Sequence, residues 1–487
     1  MFLFLLCGCA GTKEFVAGKK YAPEQLKEDY HLFRNILEES HPGLYWYTPK
    51  DSMNIYFDRG YSMLSDSLTE TKFRNVLSYV ITNIHCGHTS TRPSKSYTKA
   101  IGAGITFPLG IKFWKDTAIV TQNLDRKDST LTRGTIITAI DDRPMNQIVD
   151  TLFQYLSTDG YNRTHQYQTL STRSVFAGLY TSVFGYKPKY KVAFVDTLGN
   201  SKTAITNLFL LSRDSVRREM ERPQKEKKVS KRQRKKLLLQ LTRNLNIDST
   251  SSTGYMELST FTKGNKLRKF FRQSFRRMKE TNTQNLVIDL RGNGGGSVTF
   301  STLLTQYISD HRFKIGDSLF MVKRFSKYHQ YIAQSFLNSL FAFVFTRKQN
   351  DGNYHFRYFE KHRFSPKKNN HYDGQVYVLT GGNTFSASTL FAETVREQKN
   401  VTLVGEETGG GAYGNNAWLI PDVTLPNTGV RFRLPLFRLV IDRNQPKGYG
   451  VQPEVYSGPT MEAIRRNADY KMDAVRKLIQ KGGRVAQ

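Results

Sequence analysis

Two serines and an alanine stand where a run of β-forming residues gives way to a helix-like segment. The run is QVYVLT, and Ser386, Ala387 and Ser388 lie on the corner that follows it. At such a corner a hydroxyl can be held exposed beside backbone N–H groups that have no helical partner. A hydroxyl in that setting can attack a carbonyl, and the N–H groups can stabilise the resulting oxyanion. The stretch therefore predicts a nucleophile.

Other catalytic and cofactor signatures match less well. The stretch NLVIDLRGNGGGS lacks the third glycine of a dinucleotide-binding loop, and GGGAYG at 409–414 fits G-x-G-x-x-G but is not followed by a helix-like segment. The chain contains no H-E-x-x-H, no C-x-x-C and no G-x-S-x-G. The sequence predicts neither a metal nor an organic cofactor.

Length and composition describe a folded protein of several domains. The 487 residues can form about two to four domains of ordinary size. With 38% hydrophobic and 13% aromatic residues the chain is not disordered as a whole. Past the N-terminus no apolar run approaches the ~20 residues of a membrane-spanning helix.

The N-terminal stretch MFLFLLCGCAGTK resembles a bacterial lipobox. A short apolar segment precedes Cys7 and Cys9, although the usual basic residues before it are missing. We expect residues 1–9 to hold the signal and lipobox and Cys9 to carry lipid, which anchors the protein in the bacterial cell envelope, facing the periplasm or at the outer membrane. The alternative is a buried N-terminal strand. Cys86 would then be left without a disulfide partner.

The formal net charge of +31 is concentrated in places, and residues 217–243 form the densest basic block. An exported protein rarely meets nucleic acid, and no zinc, helix-turn-helix or RNP-type motif accompanies the charge. We therefore expect no nucleic-acid partner. Residues 211–250 are interpreted as a solvated basic insertion that rests on anionic lipid or on an acidic partner.

Residues 20–95 carry a helical pattern. Leu26, Tyr30, Phe33 and Leu37 recur at i, i+4, i+7 and i+11, the stripe of an amphipathic helix. The sequence predicts a small N-terminal helical domain that ends near IHCGHTSTRPS.

Residues 103–207 change to short alternating segments typical of strands. Gly134, the β-branched run after it and the turn DDRP resemble a PDZ domain, in which a strand edge and a backbone nest capture an extended peptide. The stretch FPLGIKF would supply the peptide-binding loop at Leu109, Gly110 and Ile111. The alternative is a small β domain that only packs.

From 251 to 480 strands alternate with helical segments, which predicts an α/β core of βαβ type with some antiparallel additions. Four stretches of this core together resemble the serine peptidase family of tail-specific (C-terminal processing) proteases and the tricorn protease core: VLTGGNTFSASTLFAE, NLVIDLRGNGGG, LVGEETGGG and GYGVQPEV. The order of a helical part, a PDZ domain and a catalytic core also matches, over nearly the whole chain after the signal. The resemblance implies a ClpP/crotonase-like catalytic core.

The resemblance also implies roles for residues at the corner. The nucleophile falls on Ser386, in the family pattern T/S-x-S-A-x-E, and Thr389 replaces the glutamate of that pattern. The N–H of Ala387 would face the oxyanion, together with the N–H of Gly294 or Gly295.

The expected base is a histidine. Tail-specific proteases place a lysine where this chain has Gly411, whereas the tricorn-like branch uses a histidine ahead of the PDZ domain, and IHCGHTS offers His88 there. Imidazole can take the serine proton near neutral pH. His85 is a rival, and an ordinary hydrogen-bonded loop histidine is the remaining alternative.

The group that orients the base stays open in the sequence. Gly87 and Lys447 stand where tricorn has a serine and a carboxylate, so neither supplies that group. Thr89, Asp442 and Glu406 are candidates.

Taken together, these patterns predict an exported serine-type endopeptidase that captures a peptide or protein substrate through its PDZ-like domain and cleaves it through an acyl-enzyme. One alternative is a non-catalytic member of the same fold that binds peptides or ligands. Another is a membrane-surface scaffold that uses the basic insertion.

Overall fold

The computed structural model describes Val16 and residues 18–100, 105–210 and 230–482. The expected signal, its lipidated Cys9 and residues 217–229 of the basic block lie outside these ranges. Within them, no helix combines the length and the apolarity that crossing a bilayer requires.

The N-terminal helices share a core with the C-terminal half of the chain. They are α1 (Pro23–Ser40), α2 (Lys50–Ser62), α3 (Glu70–Thr82) and α4 (Lys95–Ala100), preceded by β1 (Lys20–Tyr21), which pairs with β2 (Leu68–Thr69). The stripe expected on α1 is fully buried. Phe33 on α1 meets the ring of Phe432 edge-on at 5.1 Å. The helical segment therefore packs into a common core and does not form a core of its own.

The next segment forms a sheet with its own hydrophobic core. Its strands follow the order β10-β9-β7-β6-β5, with β8 paired to β7, so β5 is an edge strand. The strands are β5 (Leu109–Trp114), β6 (Thr117–Asn123), β7 (Ile136–Ile140), β8 (Arg143–Pro144), β9 (Lys189–Val195) and β10 (Ser201–Asn207). The helices are α5 (Met145–Phe153), α6 (Arg163–Leu170) and α7 (Arg173–Phe184), and β4 (Ile105–Thr106) pairs with β11 (Phe209–Leu210).

The central sheet of the remaining chain has the order β12-β13-β14-β18-β19-β24. Its strands are β12 (Arg243–Asp248), β13 (Thr253–Leu258), β14 (Asn285–Asp289), β18 (Gln375–Thr380), β19 (Val401–Gly405) and β24 (Val455–Tyr456). Every pairing is parallel except that of β12 with β13. Because β12 completes this sheet, the core begins at Arg243, inside the range expected for the basic insertion. Only α8 (Lys231–Thr242) of the described insertion residues lies ahead of it.

Helices cover the central sheet, as the βαβ pattern predicts. They are α9 (Leu267–Glu280), α10 (Val298–Ile308), α13 (Ala387–Val395), α14 (Met461–Arg465) and α15 (Tyr470–Gln480). On α9 the buried side chains recur at i, i+3, i+4, i+7, i+8 and i+11 and cations fill the other face, so the sequence of α9 dictates its orientation. β14 and β18 are apolar runs because both of their faces are covered.

Two further sheets flank this core. One has the order β16-β17-β15-β23-β20 and the other the order β21-β22-β3. Their strands are β3 (Thr91–Arg92), β15 (Ser318–Met321), β16 (Arg347–Lys348), β17 (Tyr354–His355), β20 (Gly414–Ala417), β21 (Asp422–Thr424), β22 (Arg431–Arg433) and β23 (Phe437–Val440). The helices beside them are α11 (Ser335–Phe345) and α12 (Arg357–Lys361).

Candidate active site

Ser386 occupies a strained corner between β18 and α13. Its φ of 57° and ψ of −120° are rare for a residue with a side chain. The conformation is held on both sides, because Ser388 N–H donates to Phe385 O at 3.1 Å and Leu390 N–H donates to Ser386 O at 3.0 Å. Ser386 is partly exposed, whereas Ser388 is fully buried and its Oγ has no hydrogen-bond partner in the described structure. A ligand can therefore reach Ser386 but not Ser388.

The loop after β14 closes against this corner at Gly295. A Cβ on that residue would lie 2.7 Å from both Phe385 O and Ser386 Cβ and 2.9 Å from Ala387 N, and its φ is +94°. Phe385 N–H donates to Asn293 O at 3.1 Å, which ties the two loops together. Only glycine fits this contact.

The two loops at this corner carry backbone N–H groups that are free. Among the described residues, the N–H groups of Ala387, Gly294 and Gly296 donate no hydrogen bond. Gly295 N–H, in contrast, donates to Asn293 Oδ1 at 3.0 Å. Of the two glycines expected to stabilise an oxyanion, only Gly294 keeps its N–H available. Gly295 instead lacks the side chain that would collide with Ser386. Such preorganised donors stabilise charge that develops on a carbonyl oxygen.

His88 lies beside the residue that precedes Ser386. It is 4% exposed, and its ring centroid is 4.8 Å from that of Phe385. Gly87 makes this packing possible, since a Cβ there would lie 2.6 Å from Phe385 Cζ. Neither ring nitrogen of His88 has a hydrogen-bond partner among the described residues.

Asp159 faces His88, and the sequence patterns did not single it out. It is 2% exposed, and its Oδ1 lies 3.9 Å from His88 Nδ1 while accepting a hydrogen bond from Gly87 N–H at 2.8 Å. Its Oδ2 has no partner in the described structure. The separation of 3.9 Å exceeds a hydrogen bond, but such contacts often tighten only when substrate binds. Asp159 precedes Gly160 in a turn, and no signal short of the fold relates it to His88.

The other residues considered for the base or its orientation have different partners. His85 Nδ1 lies 3.0 Å from Gly160 O, and burial lowers its pKa. Thr89 Oγ1 bonds His41 Nε2 at 2.8 Å. Glu406 pairs with a buried lysine at 2.8 Å, and Asp442 accepts from a glutamine at 2.9 Å. Asp159, and none of these candidates, therefore faces His88.

A second histidine flanks the same ring. His165 on α6 stacks on Phe385 with a centroid distance of 4.8 Å, and its Nδ1 lies 2.6 Å from Gly382 O. Burial lowers the pKa of His165. Phe385 is thus held between His88 and His165.

A cavity of about 540 Å³ opens beside Ser386. Its apolar lining includes Val298, Leu390, Ala417, Trp418, Leu419 and Leu439. Asn415 also lines it, and the buried Oδ1 of Asn415 has no partner in the described structure. The cavity suits an apolar side chain that is positioned by one polar contact.

The expected peptide-binding residues Leu109, Gly110 and Ile111 lie on β5 and are buried. The C-terminal end of α6 covers part of this edge strand, because Phe113 N–H donates to Ser171 Oγ at 2.9 Å. An extended peptide can pair with the whole of β5 only if this segment moves.

An accessible serine, free backbone N–H groups and a buried histidine–carboxylate pair meet at this corner, and these are the groups that serine hydrolases use. Residues 252–457 match the profile of Peptidase family S41. This match identifies a peptidase family S41 domain in the C-terminal half of the chain. The family predicted from the sequence and the mixed α/β core are confirmed.

Two solved structures of CPAF share this fold. The crystal structure of mature CPAF is 14% identical with a TM-score of 0.65, and the match covers 95% of this chain and 99% of that one. The structure of mature CPAF complexed with lactacystin is also 14% identical with a TM-score of 0.65, and the match covers 94% of this chain and 98% of that one. The tricorn protease is 14% identical with a TM-score of 0.41, and the match covers 94% of this chain and 37% of that one. The search of curated proteins returned no match.

The close approach at Gly295 can be tested with a matched pair of variants. Gly295→Ala should lower peptidase activity by more than tenfold and reduce the melting temperature, because its Cβ would displace the Ser386 corner. Gly294→Ala should keep the fold and most of the activity, because no atom lies within 4 Å of the added Cβ and the N–H is retained. Equal effects of the two changes, measured by peptide hydrolysis and thermal unfolding, would contradict the assignment.

Glu393 on α13 should make stability depend on pH. Burial raises the pKa of this carboxyl to about 7, although Arg396 opposes the shift. Since the folded pKa lies above the ordinary value of 4.5, the folded state binds more protons between these values, and stability falls as pH rises through this window. Glu393→Gln should flatten the dependence of the melting temperature on pH from 5 to 8. Glu397→Gln, at an exposed position whose charge adds only the smallest part of the rise, should change it far less.

Proposed function

We propose that the protein is an exported serine endopeptidase in which Ser386 is the nucleophile, His88 the general base and Asp159 the group that orients His88. The observation that carries the proposal is that the strained, accessible Ser386 adjoins loops with free N–H groups, while His88 of a buried His88–Asp159 pair packs on the preceding residue. A buried, unpaired imidazole and an unpaired carboxylate oxygen are costly to keep, so a role in catalysis explains them better than a structural one.

The reaction follows from these positions. With Nδ1 of His88 turned towards Asp159, Nε2 is the nitrogen left to accept the Ser386 proton. Ser386 Oγ then attacks the peptide carbonyl, and the oxyanion accepts hydrogen bonds from Ala387 and Gly294. His88 returns the proton to the leaving amine, which leaves an acyl-enzyme on Ser386. Water, deprotonated by His88, attacks the acyl carbonyl and releases Ser386 with its proton.

The finer parts of the proposal concern the substrate and the location. The cavity beside Ser386 accepts an apolar side chain of an extended polypeptide, and the edge of β5 captures the chain as a PDZ domain does once the end of α6 moves aside. A lipid on Cys9 anchors the enzyme to the bacterial cell envelope. Apart from the substrate and water, each proposed catalytic step uses only side chains and backbone groups of this chain.

Covalent labelling tests the nucleophile. Incubation with a serine-reactive fluorophosphonate should give one adduct on Ser386, located by mass spectrometry of the digested protein. Ser386→Ala should abolish the adduct, and Ser388→Ala, the matched control two residues away, should keep it. His88→Ala should slow labelling by at least about a hundredfold because the serine loses its base. If the folded protein gives no adduct, the chain is a non-catalytic binding member of the fold.

The positioning role of Asp159 has its own test. Asp159→Asn should lower kcat by about a hundredfold or more with little change in KM, because a carboxylate that holds and stabilises the imidazolium is lost. The pH profile of kcat/KM should shift as well, since the histidine loses a negative neighbour. Asp442→Asn removes a carboxylate that contacts Gln445 and should leave both readouts unchanged. Equal activity in the two variants would assign Asp159 a purely structural role.

A further inference from the structure

The helix α11 presents its apolar face to solvent. Phe336, Leu337, Leu340, Phe343 and Val344 are 78%, 60%, 49%, 57% and 48% exposed. They recur at i, i+1, i+4, i+7 and i+8, so they form one continuous stripe. A stripe of this spacing normally faces a core, whereas here it faces outward. A contiguous exposed apolar patch of this kind marks an interaction surface.

Contacts on the opposite face fix this orientation. Ala342 is fully buried, and the ring of Phe341 packs within 5.8 Å of Phe356 and 6.4 Å of Phe437. At the C-terminal end, Thr346 Oγ1 donates to Ala342 O at 2.6 Å, and the guanidinium of Arg324 donates to Thr346 O. The helix therefore cannot roll its stripe inward without breaking these contacts.

Cations surround the stripe and carboxylates are missing from the same stretch. Residues 323–348 contain Lys323, Arg324, Lys327, Arg347 and Lys348 and no Asp or Glu. Lys323 pairs with a glutamate of α1. Arg324 lies 5.7 Å from the ring of Phe343, and Arg347 donates to Phe343 O and Val344 O, so both cations lie against the helix. Arg347 and Lys348 are exposed beside its C-terminal end.

We propose that α11, with Arg347 and Lys348, binds in the headgroup region of an anionic bilayer. An apolar stripe flanked by Lys and Arg is the pattern of a helix that lies in the membrane interface, and its eleven residues are too few to span the hydrocarbon core. A second copy of the chain fits less well. An isologous contact through α11 would bring the cations of both copies into one interface to which residues 323–348 supply no carboxylate, whereas anionic lipid neutralises them.

A chain of ring contacts connects α11 to the cavity beside Ser386. Phe356 touches Phe345 of α11 at 6.0 Å and Trp418 at 6.4 Å, and Trp418 lines the cavity beside Ser386. Docking of α11 would therefore hold that cavity near the membrane and favour polypeptides that lie at its surface. This consequence rests on the proposed peptidase function, whereas lipid binding itself does not.

Flotation with lipid vesicles tests the surface. The chain from residue 10 onward keeps every residue of the four hydrophobic cores, which run from Leu26 to Val475. It should bind vesicles that contain phosphatidylglycerol and bind phosphatidylcholine vesicles at least about tenfold less, with binding to the anionic vesicles weakened by salt. Two variants should each lower partitioning at least about tenfold: the triple change Phe336→Ser, Leu337→Ser and Phe343→Ser, and the double change Arg347→Glu and Lys348→Glu.

The matched control variants make the same kinds of substitution at exposed positions outside α11. Ile55→Ser, Leu198→Ser and Tyr456→Ser remove three apolar side chains that are at least as exposed, and Arg268→Glu with Lys269→Glu reverses two exposed cations on α9. Both controls should bind vesicles like the parent chain. Because every altered side chain is exposed, all forms should unfold at similar temperatures.

Two results would overturn the proposal. In the first, the α11 variants bind anionic vesicles as well as the controls do. In the second, the parent chain does not bind vesicles but sediments as a dimer, and the triple change dissociates this dimer. That result would make α11 an interface between copies. Fluorophosphonate labelling of Ser386 in the same variants separates the two proposals, since it should proceed in all of them whether or not they bind lipid.

Discussion

The contact between two backbone loops at Gly295 is the constraint on which the site depends. β14 and β18 are parallel neighbours, so the loops at their C-terminal ends meet at the same edge of the sheet, where α/β proteins commonly bind ligands. Leu290 N–H donates to Leu379 O at 3.1 Å, and Thr384 Oγ1 donates to Leu290 O at 2.8 Å. These bonds bring the loops so close that any side chain at position 295 would strike Ser386. The strain at Ser386 and the free N–H groups around it both follow from this approach.

The ring of Phe385 joins the other parts of the molecule to this corner. His88 comes from the segment after α3, and His165 comes from α6 beside the PDZ-like sheet, yet both pack on Phe385 from the central core. The proposed base and the covered edge of β5 are therefore linked to the nucleophile through one side chain. This arrangement also explains why the N-terminal helices share their hydrophobic core with C-terminal strands: a free helical domain could not hold His88 in place.

Residues with a strong local pattern could be predicted from the sequence, and residues whose role depends on distant partners could not. The Ser386 corner, the stripe on α1 and the alternation of strands and helices have the periodicities that define them. From the sequence, Asp159 can be recognised only as a turn residue, because His88, its neighbour in space, belongs to a distant segment of the chain. The different uses of Gly294 and Gly295 depend on the rotamer of Asn293. β12 (Arg243–Asp248) directly follows the basic block, so the sequence pattern assigned it to the insertion, whereas pairing with β13 makes it part of the central sheet.

The same reasoning explains why the outward stripe on α11 escaped prediction. An apolar stripe at helical spacing is normally buried, and only the tertiary contacts of Phe341 and Ala342 establish that the larger side chains face outward. Positive φ values at Trp418 and Leu419, like that at Ser386, lie around the cavity that these contacts reach. Strained backbone and exposed apolar surface both cost stability, and proteins retain such costs chiefly where function needs them. Phe356 connects Phe345 of α11 to Trp418 in the wall of this cavity, so direct ring contacts join the proposed membrane face to the proposed substrate site.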